Sequence, residues 1–204
     1  MIPRLYPIID AGLLAARGIP LTGLTSELAE AGVSLIQYRD KTGAPQQILQ
    51  AVAEIRTVFT GTLILHDRPD LAVLAHADGV HVGQDDLAPA DARAVLGPTR
   101  LVGVSTHNDN QVRAADRTPA GYIAIGPVFA TGSKLNPDPV IGLEGVRRAR
   151  ALTSKPLVAI GGITRDNARS VIEAGANSVA VISGLFVGGE PVAKVARDFL
   201  DVLR

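Results

Sequence analysis

The chain has 204 residues, 47% of them hydrophobic, which is enough for one large domain with a substantial core. Its 20 basic and 20 acidic residues balance, and no run of like charge exceeds two residues, so neither a nucleic-acid surface nor a membrane-binding patch is expected. The absence of cysteine excludes disulfides, thiolate catalysis and zinc–thiolate sites. No signal-peptide pattern or long apolar span is present, so we expect a cytoplasmic protein.

Short apolar runs alternate along the chain with segments of helical period, which predicts an α/β fold. The predicted strands are Leu5–Ile9, Leu35–Tyr38, Thr62–Leu65, Gly79–Val82, Leu101–Ser105, Tyr122–Ile125, Leu157–Ile160 and Ser178–Ile182. The predicted helices are Leu21–Ala31, Ala44–Phe59, Pro69–Ala75, Pro89–Leu96, Asn108–Ala115, Leu143–Ala151, Arg165–Ala174 and Pro191–Leu203. Eight alternating pairs favour a single (β/α)8 TIM barrel over residues 1–204. An open doubly wound sheet is the alternative, but its glycine fingerprint is not clear after the first strand.

Acidic residues follow the third and fourth predicted strands. Asp67 comes soon after Leu65, and Asp85 and Asp86 come soon after Val82. A strand, a helix and a strand in this order form a parallel crossover unit, so the two strands are expected to be neighbours with their carboxyl ends on one rim. Two carboxylates at this rim predict a Mg²⁺ site, because Mg²⁺ in proteins binds one or two carboxylates and keeps several of its waters.

The second predicted strand ends in QYRDK, which places cations at the same rim. Alternation along a strand directs Gln37, Arg39 and Lys41 to one side and the intervening residues to the other. Two cations and an amide on one side suit a polyanion. A solvated strand end is the simpler alternative for this segment taken alone.

The later strands end in hydroxyl-bearing and glycine-rich turns. Strand 5 runs into Ser105 and His107, and strand 6 opens the irregular segment 129–141, which carries Thr131, Ser133 and Lys134 and is a candidate active-site lid. Strands 7 and 8 run into GGIT and ISG. Glycine lets backbone N–H groups approach a ligand, and the loops after strands 7 and 8 commonly bind phosphate in barrel enzymes. The alternative is that these glycines serve only the turns.

Together these strand ends predict more positive charge than one phosphate monoester needs. A cation and an anion about 4 Å apart attract by roughly 4 kcal/mol at an effective dielectric of 20. Three cations and a divalent metal therefore indicate a second, more highly charged ligand, for which a diphosphate is the natural candidate. The pattern predicts transfer of a group from a diphosphate to a phosphorylated acceptor.

Seven sequence motifs together resemble those of one protein family. QYRDK, HDRPDLA, ADGVHVGQDDL, GVSTH, GPVFATGSK, AIGGIT and AGANSVAVIS occur in the order and at about the spacing seen in thiamine phosphate synthases. The resemblance implies a (β/α)8 barrel that joins hydroxymethylpyrimidine diphosphate to a thiazole phosphate, giving thiamine phosphate and diphosphate. It also implies a dissociative reaction, in which diphosphate leaves before the thiazole nitrogen captures a pyrimidine carbocation.

The resemblance also implies roles for individual residues. The Mg²⁺ ligands of that family correspond in position to Asp67 and Asp86. Its thiazole phosphate site matches Thr131 and Ser133, with backbone groups from Gly162, Ile182 and Ser183. The residues that correspond to its pyrimidine diphosphate site, several of which stabilise the departing diphosphate, are Gln37, Arg39, Lys41, His66, Ser105 and Lys134.

Two positions depart from the family pattern. His66 stands where Asn is usual, and Ser133 stands where Thr is usual. The imidazole changes the hydrogen-bond donors beside the metal pair, whereas the serine keeps the hydroxyl group.

Two related functions remain open at this point. The first is a thiazole tautomerase that uses His107 and needs no metal pair. The second is a barrel that binds thiazole phosphate without turnover. The acidic pair and the Thr131–Lys134 segment favour the synthase.

The other histidines predict no metal site. His76 is interpreted as a surface or packing residue and His81 as a packing residue inside its strand. The four histidines show no metal-ligand spacing, so a zinc site is not expected. The predicted partners are the two small-molecule substrates, and the chain is compatible with a homo-oligomer.

Overall fold

The computed structural model describes residues 2–132 and 138–204. Within them, eight parallel strands pair in sequence order, and the last pairs with the first, so the sheet closes into a barrel. The strands are β1 (Leu5–Asp10), β2 (Leu35–Arg39), β3 (Thr62–His66), β4 (Gly79–Val82), β5 (Leu101–Thr106), β6 (Tyr122–Ile125), β7 (Leu157–Ile160) and β8 (Ser178–Val181). The predicted TIM barrel is confirmed.

The helices cover the outside of this barrel. They are α1 (Ala11–Arg17), α2 (Leu21–Glu30), α3 (Pro45–Val58), α4 (Pro69–Leu74), α5 (Pro89–Leu96), α6 (Asp109–Asp116), α7 (Gly142–Leu152), α8 (Arg165–Glu173) and α9 (Val192–Val202). A 3₁₀ turn at Ser183–Leu185 lies between β8 and α9. Every predicted strand and helix is present, with ends displaced by one residue at most. None of these helices combines the length and the apolarity that a membrane crossing requires.

Helix α1 was not predicted, although its ends carry recognisable signals. The side chain of Asp10 caps the helix by accepting a hydrogen bond from Leu13 N at 2.8 Å. Gly18 ends it in the left-handed conformation, at φ 62°. The segment was missed because it begins directly at the end of β1 and has only seven residues.

The core has two layers. One lies between the barrel and its helices, and the other fills the barrel itself, where Tyr6 and Tyr122 pack among aliphatic side chains. Gly103 on β5 makes room for Tyr122, because a Cβ at Gly103 would lie only 2.0 Å from the tyrosine Cζ. A buried tyrosine needs a partner for its hydroxyl group, so this layer must also contain polar groups.

Candidate active site

A cavity of about 490 Å³ opens at the carboxyl ends of the strands. It is lined by eleven of the predicted site residues: Gln37, Arg39, Lys41, His66, Asp67, Asp86, Ser105, Thr131, Gly162, Ile182 and Ser183. The structure thus brings these residues together, while their individual roles stay predictions. The other two, Ser133 and Lys134, lie outside the described residues, so the predicted lid is described only at its ends.

Asp67 leaves strand β3 in an unusual backbone conformation. Its φ is 60°, in the left-handed region, which aspartate tolerates better than most residues. Its N–H donates to His81 O on β4 at 2.8 Å, so the turn is held against the neighbouring strand. β3 and β4 are adjacent as predicted, with His66 opposite His81. Because the conformation is sparsely populated, it is a feature that a functional site commonly preserves.

Asp86 lies in the loop after β4, and its side chain lines the same cavity as that of Asp67. One of its carboxylate oxygens accepts a hydrogen bond from Gly83 N at 2.8 Å. A Cβ at Gly83 would lie 2.7 Å from that oxygen, so a larger residue there would displace the carboxylate. Asp85, its neighbour, is exposed and also lines the cavity.

The carboxyl groups of Asp67 and Asp86 contact each other, and their pKa values are shifted in opposite directions. Burial opposes ionisation of Asp67, but contacts with His66, Asp86 and Lys41 outweigh it, so the pKa of Asp67 lies below its usual value. Burial and the contact with Asp67 raise the pKa of Asp86. Two carboxyls this close do not readily ionise together unless a cation joins them.

The donor set fits a magnesium ion. Asp67 Oδ1 is buried and has no hydrogen-bond partner, so its lone pairs are available to a cation. Among residues 2–132 and 138–204, no three His, Cys, Asp or Glu side chains converge as a complete metal site. Mg²⁺ is usually bound by one or two carboxylates together with waters and substrate phosphate oxygens. Two protein ligands are too few for a structural zinc site, which takes four.

Cations line the wall of the cavity next to this pair. Arg39 ends β2, and its guanidinium forms an ion pair with Asp10, the residue that caps α1. Lys41, two residues further on, is exposed and lies close enough to Asp67 to lower the pKa of that carboxyl. Tyr38 and Asp40 contact each other instead, at 3.4 Å. The predicted alternation of side chains at the end of β2 is confirmed.

A tight glycine turn after β7 forms part of the opposite wall of the cavity. Gly161 and Gly162 after β7 both have positive φ, and a Cβ at Gly162 would lie 2.4 Å from Ala130 O. Asn167 on α8 holds this turn, because its Nδ2 donates to Gly162 O at 3.0 Å and its Oδ1 accepts from Thr164 N at 2.8 Å. Only glycine fits where the backbone must come this close.

His107 lines the cavity, and its Nδ1 and its backbone N–H both make structural contacts. Its Nδ1 donates to Gly126 O at 2.7 Å and lies 3.5 Å from an Asp138 carboxylate oxygen. The backbone N–H of His107 donates to Gln111 Oε1 at 2.6 Å. These contacts hold the loop after β5 against the end of β6.

A chain of hydrogen bonds crosses the barrel floor below the cavity. Gln37 Nε2 lies 3.1 Å from His66 Nδ1, and Gln37 Oε1 accepts from the Tyr6 hydroxyl at 3.0 Å. The Tyr6 and Tyr122 hydroxyls are 2.8 Å apart. His81 then joins Tyr122 to Ser105: its Nδ1 lies 3.0 Å from the Tyr122 hydroxyl and its Nε2 lies 2.8 Å from Ser105 Oγ.

This chain gives His81 more than a packing role. Burial lowers the pKa of His81 to about 3, so the ring is neutral, with one nitrogen donating and the other accepting. Burial also raises the pKa values of Tyr6 and Tyr122, which therefore keep their protons. Sequence reasoning missed the tyrosines, whose only signal is a polar side chain at an inward-facing position of a buried strand.

The fold and these contacts define a (β/α)8-barrel protein in which one cavity at the strand ends contains a pair of carboxyl groups, two cations and a glycine turn. The family model described as thiamine monophosphate synthase matches residues 5–185. The chain belongs to this family.

Individual relatives agree with that assignment. Over 206 residues the chain is 52% identical to a thiamine-phosphate synthase of Koribacter versatilis, covering 99% of this chain and 96% of the relative. It is 41% identical to a thiamine-phosphate synthase of Chloroflexus aurantiacus, covering 95% of this chain and 89% of the relative. The structure of a thiamine phosphate pyrophosphorylase from Pyrococcus furiosus superimposes with a TM-score of 0.85 at 30% identity, covering 98% of this chain and 95% of that one. The expected family and the synthase function are confirmed, and the tautomerase and the non-catalytic barrel are disfavoured.

Proposed function

We propose that this chain joins hydroxymethylpyrimidine diphosphate to a thiazole phosphate in a magnesium-dependent alkyl transfer. The bond between the pyrimidine methylene carbon and the diphosphate oxygen breaks, and diphosphate leaves with the electron pair. The thiazole ring nitrogen then donates its lone pair to that carbon. The observation that carries the proposal is the meeting of the Asp67–Asp86 pair with Arg39 and Lys41 in one 490 Å³ cavity.

Asp67 and Asp86 would hold the magnesium ion. When bound, Mg²⁺ would supply charge neutralisation to the diphosphate. The unpartnered Oδ1 of Asp67 supports this assignment because it is available to a cation, and the raised pKa of Asp86 supports it because the two carboxyl groups repel each other when both are ionised. Hydrogen bonds from the backbone fix the turns that carry both residues, so the ligands need little rearrangement.

The cations act on the leaving group. Arg39 and Lys41 face the space beside the carboxylate pair, and Lys134 is predicted to approach from the segment that lies outside the described residues. Negative charge on the departing diphosphate grows as its bond to carbon breaks. Cations fixed beside it therefore stabilise the transition state more than the bound substrate, which is what accelerates the reaction.

The second substrate is assigned to the opposite wall. The Thr131 side chain and the backbone near Gly162, Ile182 and Ser183 line that wall, and the glycine turn there supports phosphate binding through backbone N–H groups. The attacking ring nitrogen carries no proton, so the reaction needs no general base.

The proposal is tested by incubating the purified chain with both substrates and MgCl₂. Thiamine phosphate and diphosphate should appear in equal amounts, and EDTA should stop the reaction until excess Mg²⁺ is added. Formation of product at an unchanged rate in EDTA would refute the metal assignment. Absence of product with authentic substrates would refute the synthase assignment.

A further inference from the structure

Four charged side chains form an ion-pair network between α8 and α9, and the reaction just described uses none of them. Arg165 is the first residue of α8, Glu190 lies two residues before α9, and Lys194 and Asp198 lie on α9. Arg165 and Lys194 each contact both carboxylates, and Lys194 Nζ lies 2.7 Å from Glu190 Oε2 and 2.9 Å from Asp198 Oδ2. We name these four residues the Arg165 clamp, and none of them lines the cavity.

Arg165 holds Glu190 through two hydrogen bonds. Its Nη1 donates to Glu190 Oε2 at 3.2 Å, and its Nη2 donates to Glu190 Oε1 at 2.7 Å. A guanidinium and a carboxylate joined in this forked way are fixed in orientation as well as in distance. Nη1 also donates to Asp198, so the start of α8 is tied both to the segment before α9 and to α9 itself.

The connection from β8 to α9 is fixed at both ends of an exposed stretch. At the near end, Leu185 is fully buried and the Phe186 ring lies under the Arg17 guanidinium, 4.8 Å from ring centre to Cζ. Residues 187–189 are exposed, and a Cβ at either glycine of this stretch would meet nothing within 4 Å. Glu190 follows directly, so the Arg165 clamp fixes the far end of the connection.

The first turn of α8 also holds the turn after β7, because Asn167 contacts both Gly162 and Thr164. The turns after β7 and β8 touch each other, since a Cβ at Gly184 would lie only 2.5 Å from Ile163 O. One end of one helix is therefore connected to both turns of the wall that is assigned to the thiazole phosphate.

We propose that Arg165 is a positioning residue for this wall: through Glu190 it holds the turn after β8 against the turn after β7, so that backbone groups of both turns meet one phosphate group. The forked contact of Arg165 with Glu190 and the close approach of the two turns carry this inference. It rests on the proposed function for the identity of the ligand, a thiazole phosphate. Small displacements of binding groups weaken a complex even when the displaced residue lies away from the ligand.

Binding is tested by calorimetry on the full chain, with hydroxyethylthiazole phosphate and with inorganic diphosphate plus Mg²⁺ as separate probes. Arg165→Gln should raise the Kd of the thiazole phosphate by about 3-fold to 10-fold, the size of effect that a network of exposed ion pairs has. The Kd of diphosphate on the opposite wall should not change. Arg169→Gln is the matched control, since it removes the same charge from α8 but loses only a contact with Glu173 of the same helix.

Glu190→Ala distinguishes positioning from a long-range effect of charge. If Arg165 acted on the phosphate only through its charge, removal of the neighbouring acid would leave that charge less neutralised and would lower the Kd. The clamp predicts the opposite, a raised Kd, and the double variant should bind no more weakly than Arg165→Gln alone. In steady-state kinetics the change should appear in KM for the thiazole phosphate, while kcat stays within about twofold.

Hydrogen exchange gives a readout that needs no ligand. Backbone amides of residues 182–190 should exchange faster in Arg165→Gln and in Glu190→Ala, and at the wild-type rate in Arg169→Gln. Both variants should unfold at nearly the wild-type urea concentration, because exposed ion pairs add little to stability, and either one alone tests the clamp.

An unchanged Kd for the thiazole phosphate in the folded variants, or tighter binding by Glu190→Ala, would overturn the proposal. If the wild type forms no thiamine phosphate but the Kd values respond as expected, the proposed function fails and this inference stands. A wild type that does not bind the thiazole phosphate would overturn both.

Discussion

The carboxyl groups of Asp67 and Asp86 contact each other, although one follows β3 and the other lies in the loop after β4. Pairing of β3 with β4 places the two turns side by side, and the positive φ of Asp67 redirects its backbone as it leaves the strand. Facing carboxylates repel unless one is protonated or a cation lies between them. The pair is thus suited to hold a cation between its two carboxyl groups.

The first prediction concerns the unequal importance of three neighbouring acids. Asp67→Asn and Asp86→Asn keep side-chain size but remove a ligand charge, so kcat/KM should fall by about 10²-fold to 10³-fold, the range typical of a lost electrostatic contact. The Mg²⁺ concentration needed for half-maximal rate should rise. Steady-state kinetics over a magnesium series measures both quantities.

Asp85→Asn is the matched control for this pair. Asp85 is exposed and adjacent to Asp86 in sequence, so its loss changes local charge without removing a proposed ligand. Its kcat/KM should stay within a few-fold of the wild type. A loss as large as that of Asp86→Asn would show that the metal site is assigned to the wrong carboxylate.

The fold was predictable because its signals are local. Strands such as β6 and β7 are short apolar runs, and each helix begins at or next to a proline, a glycine or a capping residue. Strict alternation left little choice beyond a parallel barrel. Helix α1 was missed because it is short and leaves no loop after β1, so a tertiary environment rather than a periodic pattern defines it.

The candidate site was predictable to the extent that it lies at strand ends. Topology brings Arg39, Asp67 and Asp86 to one rim, and this follows from strand order alone. The contacts of Arg39 with Asp10 and of Tyr6 with Tyr122 did not follow, because they depend on which side chains meet across the barrel. No spacing rule in one sequence encodes a pair that far apart in the chain.

The second prediction separates two roles of Asp10, which caps α1 and holds the guanidinium of Arg39. Asp10→Asn keeps the cap, since Asn caps helices as well as Asp does, but it removes the ion pair. The free energy of unfolding should change little, while KM for the pyrimidine diphosphate rises by roughly 10-fold as Arg39 loses its orientation. Denaturant titration and steady-state kinetics measure the two effects.

Asp10→Ala should show both losses. It removes the cap as well, so the free energy of unfolding should fall by about 1 kcal/mol beyond that of the Asn variant. A decrease in KM for either variant would contradict the positioning role, because it would mean that Asp10 competes with the substrate for Arg39.

The third prediction concerns stability at mildly acid pH. The pKa of buried His81 is lowered from 6.5 to about 3, so between these values the unfolded chain binds a proton that the folded chain does not. The contribution of His81 is complete above pH 6.5 and is lost as the pH falls towards 3. Its slope is at most about 1.4 kcal/mol per pH unit.

Urea unfolding at several pH values between about 6.5 and 5 measures this slope, because most carboxylates stay ionised in that range. His81→Gln should be less stable overall but should lack the His81 part of the slope. An identical pH dependence in the wild type and the variant would show that the folded protein takes up a proton at His81 as readily as the unfolded chain does.

The last prediction concerns the glycine turn after β7. Gly162→Ala places a Cβ about 2.4 Å from Ala130 O at φ 62°, so the turn must shift away from the segment that carries Thr131. KM for the thiazole phosphate should rise by about 10-fold or more, while binding of inorganic diphosphate on the opposite wall stays unchanged. Gly188→Ala is the control, because a Cβ there meets nothing within 4 Å and its φ is not positive, so its KM should match the wild type. If Gly162→Ala instead weakens diphosphate and leaves the thiazole KM unaltered, the two phosphate sites are assigned to the wrong walls.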